Sequence, residues 1–171
     1  METWDAITSR RNVRAYADRP IDRRHLDRIL EAGRRAPSAK NVQRWDFVVV
    51  DDRERLRELA RVRPSARHVA DSATTIALVA PVLEAGHVRD LMQYDLGQAT
   101  MSMMIAAADL GIGSGHASVG DQDLARSILA FPEDRSCAYL IALGYPADHG
   151  LAPIARPDRR PFDDVVHLGG W

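Results

Sequence analysis

Cysteine is almost missing from this chain. Cys137 stands alone among 171 residues, which excludes an intrachain disulfide and any cysteine-based metal cluster. It sits in Ser136–Leu143, an apolar run that reads as a buried strand, so the thiol reads as a core group and not a nucleophile. Lysine is equally scarce: Lys40 is the only one among 23 basic residues. The positive charge is carried by guanidinium groups, which suit planar, two-pronged contacts with phosphate and carboxylate; genome composition is the other source of such a bias. Excess charge is missing too. A net charge of −1 gives no support for a nucleic-acid partner. Long apolar runs are absent, since Thr75–Leu83 and Ala99–Ala108 are too short to span a bilayer. The start of the chain shows no basic-then-apolar leader, and the cytoplasm is the expected location. The six histidines form no HExxH or other close ligand pair, so no metal is expected. There is no G-x-S-x-G elbow and no Walker A loop. Gly111–Gly115 is glycine-rich but follows a helix, so it is not a dinucleotide fingerprint.

What remains is an ordinary globular composition, 46% hydrophobic and 27% charged, long enough for one domain over residues 1–171 with a real core. Thr3–Ser9 suggests a short opening helix. Asp22 is placed to cap a second, with Leu26, Ile29 and Leu30 at helical spacing and Pro37 ending it. Phe47–Val50 reads as a strand, and Leu56, Leu59 and Ala60 as a helix with arginines on its outer face. Thr74–Val79 is β-branched and apolar, an inner strand. The longest helix runs from about Val88 to Leu110. Its Met101–Ala108 half is apolar nearly all round, which calls for burial on most sides and favours a dimer. Asp95, Gln98, Ser102 and Asp109 form a polar stripe on it, read either as a functional line or as its wet face. After the Gly111–Gly113 stop come a short segment Ser114–Val119, a helix Asp121–Leu129 and a strand Cys137–Leu143. A proline-punctuated, extended tail follows from Leu151. This order lacks regular βαβ alternation and predicts an α+β fold with a mixed or antiparallel sheet flanked by helices.

Two motifs carry the chemistry. Arg10-Arg11-Asn12-Val13-Arg14 offers three guanidinium forks in five residues. On either a helix or a strand, Arg10 and Arg14 share a face and can focus on one anion; a solvated basic patch is the plainer reading. Ala36-Pro37-Ser38-Ala39-Lys40-Asn41-Val42-Gln43-Arg44-Trp45 sets a rigid turn bearing a hydroxyl and two amides. These can meet the edge of a pyrimidine-like ring, or simply cap a helix and enter a strand. Together the motifs suit a flat, polar heterocycle carrying a phosphate. Arg159-Arg160-Pro161 offers a late arginine pair, for the same anion or for solvent.

These motifs resemble the signatures of the nitroreductase-like flavoproteins, in the same order over essentially the whole chain. The family's Arg-Arg-Ser-X-Arg resembles Arg10–Arg14, and its Ala-Pro-Ser-X-X-Asn-X-Gln-Pro-Trp resembles Ala36–Trp45. Its Gly-Leu-Gly after a long interface helix resembles Gly111–Gly113. Its Gly-Tyr-Pro turn and later Arg-(Lys/Arg)-Pro resemble Gly144–Pro146 and Arg159–Pro161. The resemblance implies an α+β fold, an intertwined homodimer and FMN at the subunit interface. It assigns Arg10, Arg11, Asn12 and Arg14 to the phosphate, ribityl chain or pyrimidine edge, and Pro37, Ser38 and Asn41 to the partner subunit's site. Ser118 and Val119 fall where the family aims a backbone N–H at the hydride-accepting nitrogen. Arg159 and Arg160 would complete the phosphate site. Three departures stand out. Asn12 replaces Ser, Arg44 replaces Pro and predicts a looser turn, and His116 stands near the flavin where many members have tryptophan or proline.

The implied activity is that of an FMN-dependent oxidoreductase. NAD(P)H would be the co-substrate, and an electron-poor nitroaromatic or quinone-like acceptor would be reduced in a ping-pong cycle. The flavin carries the redox chemistry; His116 is the one side chain to weigh as a proton donor, with a pocket-wall role as its rival. Flavin breakdown with oxygen, dehalogenation, ene reduction and flavin binding without turnover are the alternatives.

Overall fold

The computed structural model describes residues 1–171. Helix α1 (Thr3–Ser9) is followed by an extended segment and then by α2 (Arg23–Arg34). Asp22 starts α2 as expected, its carboxylate accepting from the Arg24 N–H at 2.7 Å. Strand β1 (Asp46–Val50) leads into α3 (Arg53–Leu59), where the Asp52 carboxylate accepts from the Arg55 N–H at 2.9 Å. Short 3-10 turns over Ala60–Val62 and Pro64–Asp71 lead to β2 (Thr74–Pro81). The long α4 (His87–Asp109) stops at Gly111, whose φ of +72° suits a residue without a Cβ. Strand β3 (Gly113–Ser118), α5 (Gln122–Leu129) and β4 (Arg135–Gly144) complete the body.

The four strands form one antiparallel sheet in the order β1-β2-β4-β3. The sequence order left out β3. Gly-Ser-Gly-His-Ala-Ser lacks the β-branched and aromatic residues that mark strands, and its pairing with β4 makes it one. Helices cover both faces. On one side α2 and α4 bury Ile29, Leu96 and Met103 against Ile76, Leu78, Ile141 and Leu143. On the other, α3, α5 and the 3-10 turns bury Leu56, Leu59, Val69 and Ile128 against Ala77, Val79, Leu140 and Cys137. A bulge in β4 opposite Leu78/Val79 gives it one extra residue, Ala138. The bulge turns Cys137 to the α3 side while Ile141 and Leu143 face α4. Burial pushes the Cys137 thiol up to about 12, consistent with an inert core group.

Along α4, Met103, Met104, Ala107 and Ala108 are buried, but Met101 is 43% exposed, so within one chain the apolar half of α4 keeps an open side. From Ala152 onward every residue of the tail is exposed, including Phe162, Leu168 and Trp171. No helix is long and apolar enough to cross a membrane.

Candidate functional site

The site grows from the free edge of β3. The chain leaves α1 at Arg10 and runs extended alongside β3. Asn12 bridges Ser114 in parallel, and the Val13 N–H donates to the Ser114 carbonyl at 2.9 Å. Because that carbonyl faces outward, the pleat also turns the N–H groups of His116 and Ser118 outward, away from β4. Neither has a backbone partner beyond the sheet. Gly115 lies between them. A Cβ there would sit 2.5 Å from the Val13 carbonyl oxygen and 2.9 Å from Cδ2 of His68, so only glycine lets the segment close on the strand. His68 is buried with Nε2 unpartnered. Burial lowers its pKa below the ordinary histidine value, with the nearby Arg14 adding to the shift and the Gly115 backbone opposing it.

A cleft of about 360 Å³ opens between this segment, α4 and the sheet. Arg10 and Asn12 form one wall, Gly97, Thr100 and Met104 a second, and His116 with Tyr139 the floor. Arg10 has no acidic partner within 4 Å. The Thr100 hydroxyl oxygen is buried without a hydrogen-bond partner. A half-buried guanidinium and an unsatisfied hydroxyl beside outward N–H groups make a site for an anionic, hydrogen-bonding ligand.

The other arginines of the first motif do not converge here. Arg11 donates to the Asp148 carboxylate at 3.3 Å and to the His149 carbonyl at 3.0 Å. Arg14 lines a different cleft, with Tyr16, Arg53 and Arg57. The reason is local. The segment crosses the sheet edge at the Val13–Ser114 bond, leaving Arg10 and Asn12 on the α4 side. Tyr16 then packs into the core on the α3 side. A single face for Arg10 and Arg14 required one uninterrupted helix or strand.

The second motif folds into a tight loop. Lys40, Asn41 and Gln43 all adopt positive φ, at 54°, 55° and 53°, a conformation that side chains resist. The Ser38 hydroxyl accepts from the Gln43 N–H at 3.0 Å, and the Gln43 side-chain amide donates to the Asn41 carbonyl at 3.1 Å. The Ala39 N–H donates to both Asp95 carboxylate oxygens, at 3.0 and 3.2 Å. Arg44 therefore does not leave the turn loose: these bonds hold it without the proline. Pro37 and Asn41 stay exposed. Trp45 is buried and stacks on Phe47 with ring centres 6.5 Å apart.

Asp95 resolves the polar stripe of α4. It is 2% exposed and also receives the Gln98 amide at 3.5 Å, while Ser102 bonds the Gln98 carbonyl and Asp109 pairs with Arg28. The stripe is a bonded line, not a wet face. Successive residues of a helix turn by about 100°, so Asp95 stands roughly opposite Gly97, Thr100 and Met104. The loop and the cleft thus lie on opposite sides of α4 in one chain.

At the end of β3, the Ser118 hydroxyl accepts from the Arg63 guanidinium at 2.7 Å, and Val119 packs against the α3-side core. Arg159 and Arg160 lie on the exposed tail, bonded only to the carbonyls of Asp158 and Asp164. Thr100, Tyr139 and Arg63 carried no sequence signal. Asp95 carried one, as a carboxylate within the otherwise apolar periodicity of α4.

Comparison with known proteins completes the assignment. The structure superposes on an FMN-dependent nitroreductase from Clostridium difficile R20291 with a TM-score of 0.84, covering 97% of this chain and 98% of that one at 25% identity. Residues 7–82 match the Nitroreductase family. An Archaeoglobus fulgidus protein provisionally named NADH dehydrogenase/NAD(P)H nitroreductase is 31% identical over 99% of both chains. The FMN reductase [NAD(P)H] of Bacillus subtilis is 26% identical over 97% of this chain and 73% of its own length. The chain belongs to the nitroreductase family.

Proposed function

We propose that this chain is an FMN-dependent oxidoreductase that uses NAD(P)H to reduce an electron-poor acceptor, nitroaromatic or quinone-like, by a ping-pong mechanism. The observation that carries the reading is the free edge of β3, with the outward N–H groups of His116 and Ser118 beside a cleft holding an acid-free arginine. This donor set fits FMN: a phosphate for Arg10, an unsatisfied hydroxyl at Thr100, and N–H groups along the edge of a flat ring. When bound, FMN supplies the redox chemistry, taking a hydride from NAD(P)H and passing two electrons to the acceptor.

The chain's own residues bind and orient. Arg10 neutralises the phosphate, while Arg11 and Arg14 are held away from it. Asn12 is fixed by its bridge to Ser114 and presents an amide to the ligand. The edge N–H of Ser118, at the end of β3 where Val119 begins the turn, serves the reactive side of the ring. Met101 and Met104 restrict water from the α4 side. His116 shapes the wall against which the acceptor lies, and water supplies the proton.

The site is shared between two copies. Asp95 and the cleft residues point opposite ways from α4, so the Pro37–Asn41 loop of one chain completes the cleft of another. The open side of α4 at Met101 and the exposed Trp4, Ile7 and tail apolar groups are the surfaces such an intertwined homodimer would cover. Arg159 and Arg160, on that tail, reach the partner's phosphate site. The test is the absorbance spectrum of purified protein before and after anaerobic NADH and NADPH. A flavin spectrum bleached by either donor is expected. A yellow protein that neither bleaches would make it a flavin binder without turnover, and a colourless protein that takes up no FMN overturns the reading.

A further inference from the structure

Arg63 belongs to a cluster that the flavin site does not use. Arg61, Arg63 and Arg67 line a cleft of about 470 Å³ together with Ala60, Pro64 and Ala70, and no carboxylate lines it. All three arginines are exposed, and none is paired with an acid. Other arginines of the surface are held by carboxylates, as Arg23 by Asp27, Arg34 and Arg35 by Glu31, and Arg135 by Asp46. The nearest acids in sequence, Glu58 and Asp71, form no ion pair with them and do not line this cleft; Asp71 opens onto the neighbouring cleft with Arg53 and Arg57. Asp121, close by through the Val62 carbonyl, caps α5 by accepting from the Leu124 N–H.

The cluster is also anchored to the reactive edge. The Arg63 guanidinium donates to the Ser118 hydroxyl at 2.7 Å. One residue back, the Val62 carbonyl accepts from the N–H groups of Gly120 and Asp121 at 3.1 and 2.9 Å. Arg63 is thus fixed beside the end of β3, where the proposed function puts the reacting part of the ring, and Arg61 and Arg67 share its cleft. Three forks around one cleft without a counter-charge form an anion site.

We infer that Arg61, Arg63 and Arg67 form a subsite for the anionic group of an incoming substrate, a carboxylate or phosphoryl held next to the reactive edge. This rests on the flavin reading above. The two sources of such a group are an acidic acceptor and the phosphates of the nicotinamide donor, and the test separates them. Arg61 and Arg67 are replaced together by alanine, which leaves the Arg63–Ser118 bond in place. Steady-state KM is measured for 4-nitrobenzoate, for neutral 4-nitrobenzamide, and for NADH and NADPH, with flavin content checked by absorbance.

Exposed charge pairs are individually weak, so the loss of two arginines should raise KM by about two- to thirtyfold, and less at high salt. A rise for 4-nitrobenzoate but not 4-nitrobenzamide assigns the subsite to the acceptor. A rise confined to the nicotinamide donors assigns it to their phosphates. Less than a twofold change in every arm, or an equal rise for 4-nitrobenzamide, overturns the subsite. Calorimetric titration of 4-nitrobenzoate into both proteins keeps the two readings apart. A wild type that neither holds flavin nor turns over defeats the flavin reading. In that case weaker 4-nitrobenzoate binding by the double variant still supports the subsite, and unchanged binding overturns it.

Discussion

Replacing Asp95 by alanine should free the Pro37–Asn41 loop while leaving the fold intact. The loop holds three non-glycine residues at positive φ, of which asparagine tolerates the conformation best. Lys40 and Gln43 then carry about 1–3 kcal/mol of strain each. Against this stand the Ser38–Gln43 bond, worth roughly 1 kcal/mol, and the charge-assisted bond from the Ala39 N–H to Asp95, worth roughly 1.5–3 kcal/mol. The two sides are comparable, so the Asp95 contact decides whether the loop stays closed. Its loss should speed hydrogen exchange at the Ala39 amide by about ten- to a hundredfold, with Asp95→Asn in between because one acceptor oxygen remains. Melting temperature is a blunter readout. The substitution also removes the desolvation penalty of a carboxylate that is 2% exposed and has no cation within 4 Å, and the two effects partly cancel. Exchange at Ala39 and its neighbours, followed by mass spectrometry, isolates the local effect. Unchanged protection in Asp95→Ala would show that Pro37 and Ser38 alone set the loop, and would refute the reasoning.

Other outcomes follow from the site. Arg10→Ala and Arg159→Ala should each weaken FMN affinity about ten- to a hundredfold, the loss of a charge-assisted contact of roughly 1.5–3 kcal/mol; fluorescence titration that finds either unchanged removes that residue from the site. His116→Phe should alter acceptor selectivity while flavin reduction stays within a few-fold. A loss of about 10²–10⁴-fold confined to acceptor reduction in stopped-flow traces would instead make His116 a proton donor. Sedimentation should show a dimer at micromolar concentration, and a folded monomer that still retains FMN contradicts the shared site. Cys137 should resist iodoacetamide at pH 8 until the chain unfolds. Its thiol sits at about 12 in the fold, against ~8.5 when free. Above that lower value the unfolded chain loses the proton first, so the stabilisation is whole below pH ~8.5 and is lost as pH climbs toward 12; equal labelling of native and unfolded protein refutes the burial argument.

What the sequence could reveal depended on how local the cause was. The caps Asp22 and Asp52 and the end of α4 at Gly111 are decided within a turn of chain, and periodicity located α2, α3, α4 and α5. Strand β3 is decided elsewhere. Its Gly-Ser-Gly-His-Ala-Ser carries almost no strand preference, and it is a strand because β4 pairs with it and Val13 closes on its outer edge. The bulge at Ala138 is equally invisible, since it changes which face Cys137 takes without changing the composition of the run. The same division runs through the site. Residue types placed Arg10, Asn12, Ser38 and Asn41 in one functional set, but no spacing rule foretold that the chain would cross the sheet edge after Val13 and carry Arg14 to another cleft. Nor could a linear pattern show that Asp95 and Thr100, five residues apart on α4, face opposite ways. One bonds the loop and the other opens into the cleft. In a single chain the loop and the cleft therefore do not meet. If both serve one flavin, as proposed, the turn of α4 requires a second copy, and a folded monomer that binds flavin with both would break that link.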